Sequence, residues 1–174
     1  FLRRYTFYKS VYEKLDAVEK SKLSSGDEVN LELLQYSIED FISSYKFKSY
    51  LNPILADEGF HTRLAHMSSE VLTNRDEYMN YIGRLKDIPR YVDEHIQLMR
   101  RGLALGICQP GIILNGYENT YLQHIVADPR KSVFWRPFQQ KPAGMKAEDW
   151  QQIEAEAQNI IMQYAVEGFK HIKM

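Results

Sequence analysis

Five histidines and one cysteine carry most of the reactive chemistry in this chain. The nearest approach to a metal-ligand cluster is Glu58, His61 and His66. A zinc pair on a helix needs its imidazoles three or four residues apart, so that both leave the same face. His61 and His66 are five apart, which turns them about 140° from each other on a helix. That spacing reads as structural or surface histidine. His95 lies beside an apolar helical stripe and reads as a half-buried edge residue. His124 and His171 have no acidic partner at helical spacing that would make a site. Cys108 has no histidine nearby to activate it and reads as a small buried filler, because free cysteine is among the most buried residue types. The segment Phe134-Trp135-Arg136-Pro137-Phe138 has the rings to line a peptide groove. Its plainer reading is a loop pinned to the core by those rings. The sequence thus nominates His61, Trp135 and Arg136 for a cleft, and no residue as catalytic, cofactor-binding or metal-ligating. It contains no glycine-rich phosphate loop, serine elbow or dinucleotide fingerprint.

The elements that position these residues are helical. Thr73 or Asn74 can cap a helix, with Asp76 and Glu77 placed as in a capping box. Tyr78, Tyr81, Ile82 and Leu85 then recur at helical spacing. The chain should break near Lys86 to Asp87, with Asp87 capping a second helix and Pro89 in its first turn. Ile88, Val92, Ile96, Met99 and Leu103 stripe that helix, and Gly106 is its stop. The result is an antiparallel or sharply angled pair.

Around this pair, residues 1–23 are expected to be helical, with Tyr5, Tyr8, Tyr12 and Leu15 on one stripe. A break at Ser25 to Glu28 opens a helix carrying Val29, Leu31, Leu33, Leu34, Tyr36, Ile38, Phe41 and Ile42, running to about Tyr45 or Lys48. Asn52-Pro53 breaks the chain, and a short helix is expected over about 60–68. Another should run from Pro110 or Gly111 to Val126, and residues 129–146 should form an ordered loop with a helical turn. The last helix opens at Lys146 to Trp150 and places Trp150, Ile153, Ala157, Ile160, Ile161, Tyr164, Gly168 and Ile172 on one face. The fold class is all-α: an irregular array of about five to seven helices, 1–174 forming one helical domain or part of a larger one.

Composition narrows the function. The 22 basic and 23 acidic residues leave a net charge of -1 without a basic stripe, so no nucleic-acid partner is expected. No apolar run reaches the length of a membrane span. The single cysteine permits no internal disulfide and fits cytoplasm or periplasm. The chain opens at Phe1 inside an amphipathic stretch and ends on another, EGFKHIKM, and is expected to be part of a longer protein.

An ordered series of segments carries a family likeness. It comprises LSSGDEVNLELL, the Asn52-Pro53 turn with GFHTRL after it, RDEYMNYIGRLKDIPRYVDEHIQLMRRGLALGICQP, FWRPF, and QYAVEGFKHI. Over nearly its whole length the chain resembles the N-terminal half of the bacterial domain-of-unknown-function family 885. The resemblance implies an all-helical zinc metallopeptidase-like protein. Its motif is a His-Glu pair followed by Pro-Gly-His-His, with Glu-Gly-Trp-Ala further on. Imidazoles would hold the metal and a glutamate would activate water. None of these is present: Glu94-His95 is in reverse order, Pro110-Gly111 has no histidine nearby, and Glu58-Gly59 and Glu167-Gly168 do not precede Trp-Ala. The catalytic segment is expected beyond Met174. Expectation is therefore an N-terminal helical portion, inactive alone, forming one side of a substrate cleft. No cofactor is expected in this chain, with zinc in the full-length parent. The expected partners are the missing C-terminal half, a peptide substrate, and a second copy through an exposed apolar face on the final helix. The periplasm or cell envelope, through a lipoprotein parent, is favoured over the cytoplasm. The alternative is a non-enzymatic helical binding or scaffold module.

Overall fold

The computed structural model describes residues 1–55 and 58–173; Ala56, Asp57 and Met174 lie outside the described residues. Among the described residues the regular structure is helical apart from one hairpin of two-residue strands, and the chain divides into two units, Phe1–Asn52 and Pro53–Met174.

The first unit is a helical hairpin. Helix α1 spans Leu2–Asp16 and α2 spans Ser25–Lys46. The connection is longer than the sequence implies, with a 3-10 turn at Lys20–Lys22. Ser24, not the following Ser-Gly pair, is the cap: its hydroxyl accepts from the Asp27 N–H. Ring pairs fix an antiparallel register. Tyr5 stacks on Tyr45 at 4.5 Å and Tyr8 on Phe41 at 4.7 Å. Two helices share a single interface, so only one stripe of each can be covered. Leu31, Ile38 and Ile42 are buried, whereas Val29, Leu33 and Tyr36 on the opposite side of α2 stay exposed.

The second unit opens with the hairpin, in which β1 (Ile54–Leu55) pairs antiparallel with β2 (Glu58–Gly59). Helix α3, Thr62–Ala65, runs into a 3-10 turn at His66–Ser69, close to the expected short helix. Helix α4 spans Arg75–Lys86 and α5 spans Ile88–Ala104. The Asn74 side chain accepts from the Glu77 N–H at 3.0 Å, and the Glu77 carboxylate reaches back to the Thr73 N–H at 2.6 Å, so the capping box is shared between two residues. Asn74→Ala should lower stability by about 1 kcal/mol. Urea denaturation followed by tryptophan fluorescence would read this, and an unchanged midpoint would show that the cap contributes nothing. Asp87 does not cap α5. It sits in helical conformation, and its carboxylate instead accepts from Arg90 at 2.7 Å. Gly106 ends α5 as expected: at φ 71°, it lets the Ile107 N–H reach the Gly102 carbonyl at 2.8 Å and its own N–H reach Leu103 at 3.1 Å. This is the paired bonding of a Schellman stop.

The expected helix from 110 to Val126 is not formed. A 3-10 turn at Gly111–Leu114 and a four-residue helix α6, Asn119–Leu122, take its place. Gly116 lies between them at φ 78°, a conformation that no right-handed helix can continue through. Residues 129–138 form two 3-10 turns, Pro129–Lys131 and Val133–Phe138.

The final helix is continuous but changes pitch. It comprises α7 (Ala147–Ile160), a π segment (Ile161–Val166) and α8 (Glu167–Lys173). The wider π turn accommodates extra residues and rotates every position after it. Ala165, Val166, Gly168 and Phe169 therefore face inward, while Tyr164 and Ile172 are only half-buried. This corrects the expected open face. Phe169 is fully buried, 4.6 Å from His124 and 5.9 Å from Phe134. Gly168 permits the approach to α5, since a Cβ there would lie 2.8 Å from Ile88 Cγ2. The core these helices enclose includes Tyr81, Ile82, Leu85, Ile88, Val92, Phe134, Phe138 and Ile161.

Candidate functional site

His61 sits just after β2 and its ring points inward, with no exposed surface. Thr62 wraps the preceding turn, its hydroxyl donating to the Gly59 carbonyl at 2.9 Å. Both ring nitrogens of His61 are engaged. Nε2 lies 2.8 Å from Thr120 Oγ1 and Nδ1 lies 3.0 Å from the Tyr117 hydroxyl. Thr120 has one hydroxyl proton and donates it to the Tyr117 carbonyl at 2.6 Å. Nε2 must then be the donor to Thr120, and Nδ1 the acceptor from Tyr117. His61 is thus a neutral imidazole with one tautomer selected by its partners. Burial, and secondarily the charge of His124, lower its pKa to about 4. Burial pushes the Tyr117 phenol well above its ordinary value. Gly59 makes room for this clamp: a Cβ there would lie 2.9 Å from the Tyr117 oxygen and 3.1 Å from His61 Nδ1.

Zinc, which the family resemblance implies, does not fit here. A ligating imidazole needs a free nitrogen lone pair, and the acceptor lone pair of His61 is taken by Tyr117. Glu58 and His66 are exposed while His61 faces the core, so the three do not converge. Among the described residues, no three His, Cys, Asp or Glu side chains form a metal-holding group.

The other nominated residues fall in separate places. Trp135 is buried beside Phe138, with ring centroids 5.3 Å apart, and Arg136 is exposed. Their loop is pinned to the core: Tyr81 donates to the Phe134 carbonyl at 3.1 Å and Tyr78 to the Pro137 carbonyl at 3.0 Å. His61 shares no hydrogen bond with Trp135 or Arg136. His95 is the half-buried edge residue expected, stacked on Phe60 at 4.6 Å. His171 does have an acidic partner, Asp93 on α5 at 2.9 Å, which no spacing along its own helix could show. Cys108 is exposed, contrary to the expected filler. It follows the end of α5 in a stretch without regular structure, with no helix face to bury it.

The sequence does not nominate the open groove formed by α3, α4 and the start of α5. It measures about 650 Å³, within the range of small-molecule and peptide sites. Leu64 and Ile88 are its buried floor, and Met67, Met79 and Tyr91 are half-exposed along it. Gly83 deepens it, since the space where its Cβ would stand is empty to 4 Å. The rim carries Arg63, Asn80, Arg84 and Asp87. Two of these charges are already neutralised, Arg84 by a two-pronged pair with Glu70 and Asp87 by Arg90. The sequence signal is a glycine in mid-helix flanked by methionine, polar and arginine positions, a pattern that marks a groove only once α3 is known to lie across it.

Among the described residues no helix is long and apolar enough to cross a membrane. No curated protein and no solved structure matches the chain. One family profile does, that of bacterial proteins of unknown function DUF885, over residues 1–173. Matched along nearly its whole length, the chain belongs to the DUF885 family.

Proposed function

We propose that this chain is a non-catalytic helical part of a zinc-dependent peptidase-like protein and supplies one wall of its substrate cleft. The observation that carries the reading is the groove between α3, α4 and α5. It combines a floor of Leu64 and Ile88, with Met67 and Met79 half-exposed along it, and a polar rim. Methionine-lined surfaces adapt to varied apolar side chains, which suits an extended peptide. The tautomer-locked, buried His61 supports the other half of the reading, because it has no lone pair left for metal or proton transfer. Hydrolysis would then depend on residues outside this chain, and zinc would belong to the full-length protein.

Gly83 allows a direct test. It lies inside α4 with nothing near its missing Cβ, so Gly83→Leu fills the groove without strain. Replacing a helical glycine should also raise stability by about 0.5–1 kcal/mol. Fluorescence anisotropy with a labelled, end-capped Ala-Leu-Ala-Phe-Ala peptide should show binding to the parent chain and at least about tenfold weaker binding to Gly83→Leu. Equal binding by both proteins would remove the groove from the function. Cleavage of the peptide by the chain alone would overturn the non-catalytic reading.

A further inference from the structure

The groove holds one positive charge that no anion answers among the described residues. Arg63 is exposed on α3 and makes no ion pair or side-chain hydrogen bond among the described residues. The other two charges on the rim are committed, Arg84 to Glu70 and Asp87 to Arg90. Arg63 is also placed over the groove rather than away from it. Burial raises the Tyr91 phenol, and the Arg63 charge opposes that rise, as only a nearby cation does. Across the groove, the Asn80 side chain has no hydrogen-bond partner among the described residues and is free to hold a peptide amide.

We propose that the groove selects a peptide bearing an acidic side chain at Arg63 beside a bulky apolar side chain over Met67 and Met79. This rests on the cleft-wall reading above and narrows it to a substrate class. A guanidinium presents a fork of donors that matches a carboxylate with two parallel hydrogen bonds. Among the described rim residues a cationic segment meets one uncommitted cation and no uncommitted anion, so it is repelled. An internal acidic side chain is the source, since an extended chain crossing a cleft wall has its terminus elsewhere.

Three peptides of matched size separate the outcomes on the full 174-residue chain. They are acetyl-Ala-Glu-Leu-Ala-amide, acetyl-Ala-Ala-Leu-Ala-amide, and acetyl-Ala-Ala-Leu-Ala with a free carboxylate. Calorimetric titration should find the glutamate peptide bound about five- to tenfold tighter than its alanine counterpart, with the advantage reduced at high salt. Arg63→Gln should abolish the advantage and leave the unfolding midpoint unchanged. Equal binding of the glutamate and alanine peptides would overturn the acidic selection while leaving the groove reading in place. So would an advantage that survives in Arg63→Gln. Tightening by the free carboxylate alone would overturn the side-chain assignment. If no peptide binds the parent chain, the cleft-wall reading falls and this inference with it.

Discussion

Truncating Phe169 to alanine should destabilise the second unit by about 4 kcal/mol, the range for emptying a large aromatic site in a packed core. Phe169 has no exposed surface and its ring touches His124 and Phe134, which come from two different segments of irregular chain. Those segments have few helical hydrogen bonds of their own, and rings from the final helix hold them. The loss should therefore exceed that of Tyr164→Ala on the same helix, where the side chain is only half-buried. Both tryptophans, Trp135 and Trp150, lie in the second unit, so tryptophan fluorescence in urea reads this unit selectively. A cost for Phe169→Ala no larger than for Tyr164→Ala would mean that the π segment does not set the inward face. Removing one residue from Ile161–Val166 should have a larger effect still. It would return Gly168 and Phe169 to the α-helical register and place a side chain against Ile88.

The helix ends are legible in the sequence because their causes are local. Asn74 with Glu77, and Gly106 with Ile107, satisfy or release hydrogen bonds within a few residues of themselves, so residue type and spacing suffice. The tyrosine stripe of α1 is legible for the same reason, although what it packs on, the rings of Tyr45 and Phe41, is not. The π segment is hidden because α and π turns use the same residues. What selects the wider turn is the packing of Ala165 and Phe169 against distant chain, and no 3.6-residue pattern reports that. The region after Pro110 departs from the expected helix through a signal that is itself local. Asn115-Gly116 is a turn dipeptide, and Gly116 takes the positive φ such turns require.

The site is harder to see than the fold. Sequence spacing sets His61 against His66, its near neighbour, whereas its partners Tyr117 and Thr120 lie 56 and 59 positions away. The groove depends on Gly83 being an absence of side chain, one helical turn after Met79, in a lining that also draws on Met67 and Leu64 from the preceding segment. Arg63 and Arg84 look alike in the sequence. Among the described residues, the ion pair to Glu70 is what sets the Arg84 guanidinium apart from that of Arg63.

Acid should unfold the second unit through His61 before its carboxylates become important. The native imidazole titrates at about 4 against an ordinary value of 6.5. At pH values between these, the unfolded chain takes up a proton that the native state refuses. Stability is therefore complete above about pH 6.5 and falls as pH drops toward 4, by about 3 kcal/mol in all, since each tenfold loss of proton affinity is worth about 1.4 kcal/mol. His124, also lowered by burial, acts in the same direction. The clamp gives the loss a structural location. A protonated Nδ1 can no longer accept from Tyr117, and the added charge has no solvent and no anion beside it among the described residues. The segment carrying Tyr117 and Thr120 should open first, because its short turns have little else to hold them. Urea midpoints by tryptophan fluorescence, taken from pH 7.5 to 4.5, should fall steeply in the parent chain and much less in His61→Gln. Glutamine can donate to Thr120 and accept from Tyr117 without titrating, at some cost in stability at neutral pH. Equal slopes in the two proteins would show that the acid sensitivity originates elsewhere and that the buried ring is not the group that refuses the proton.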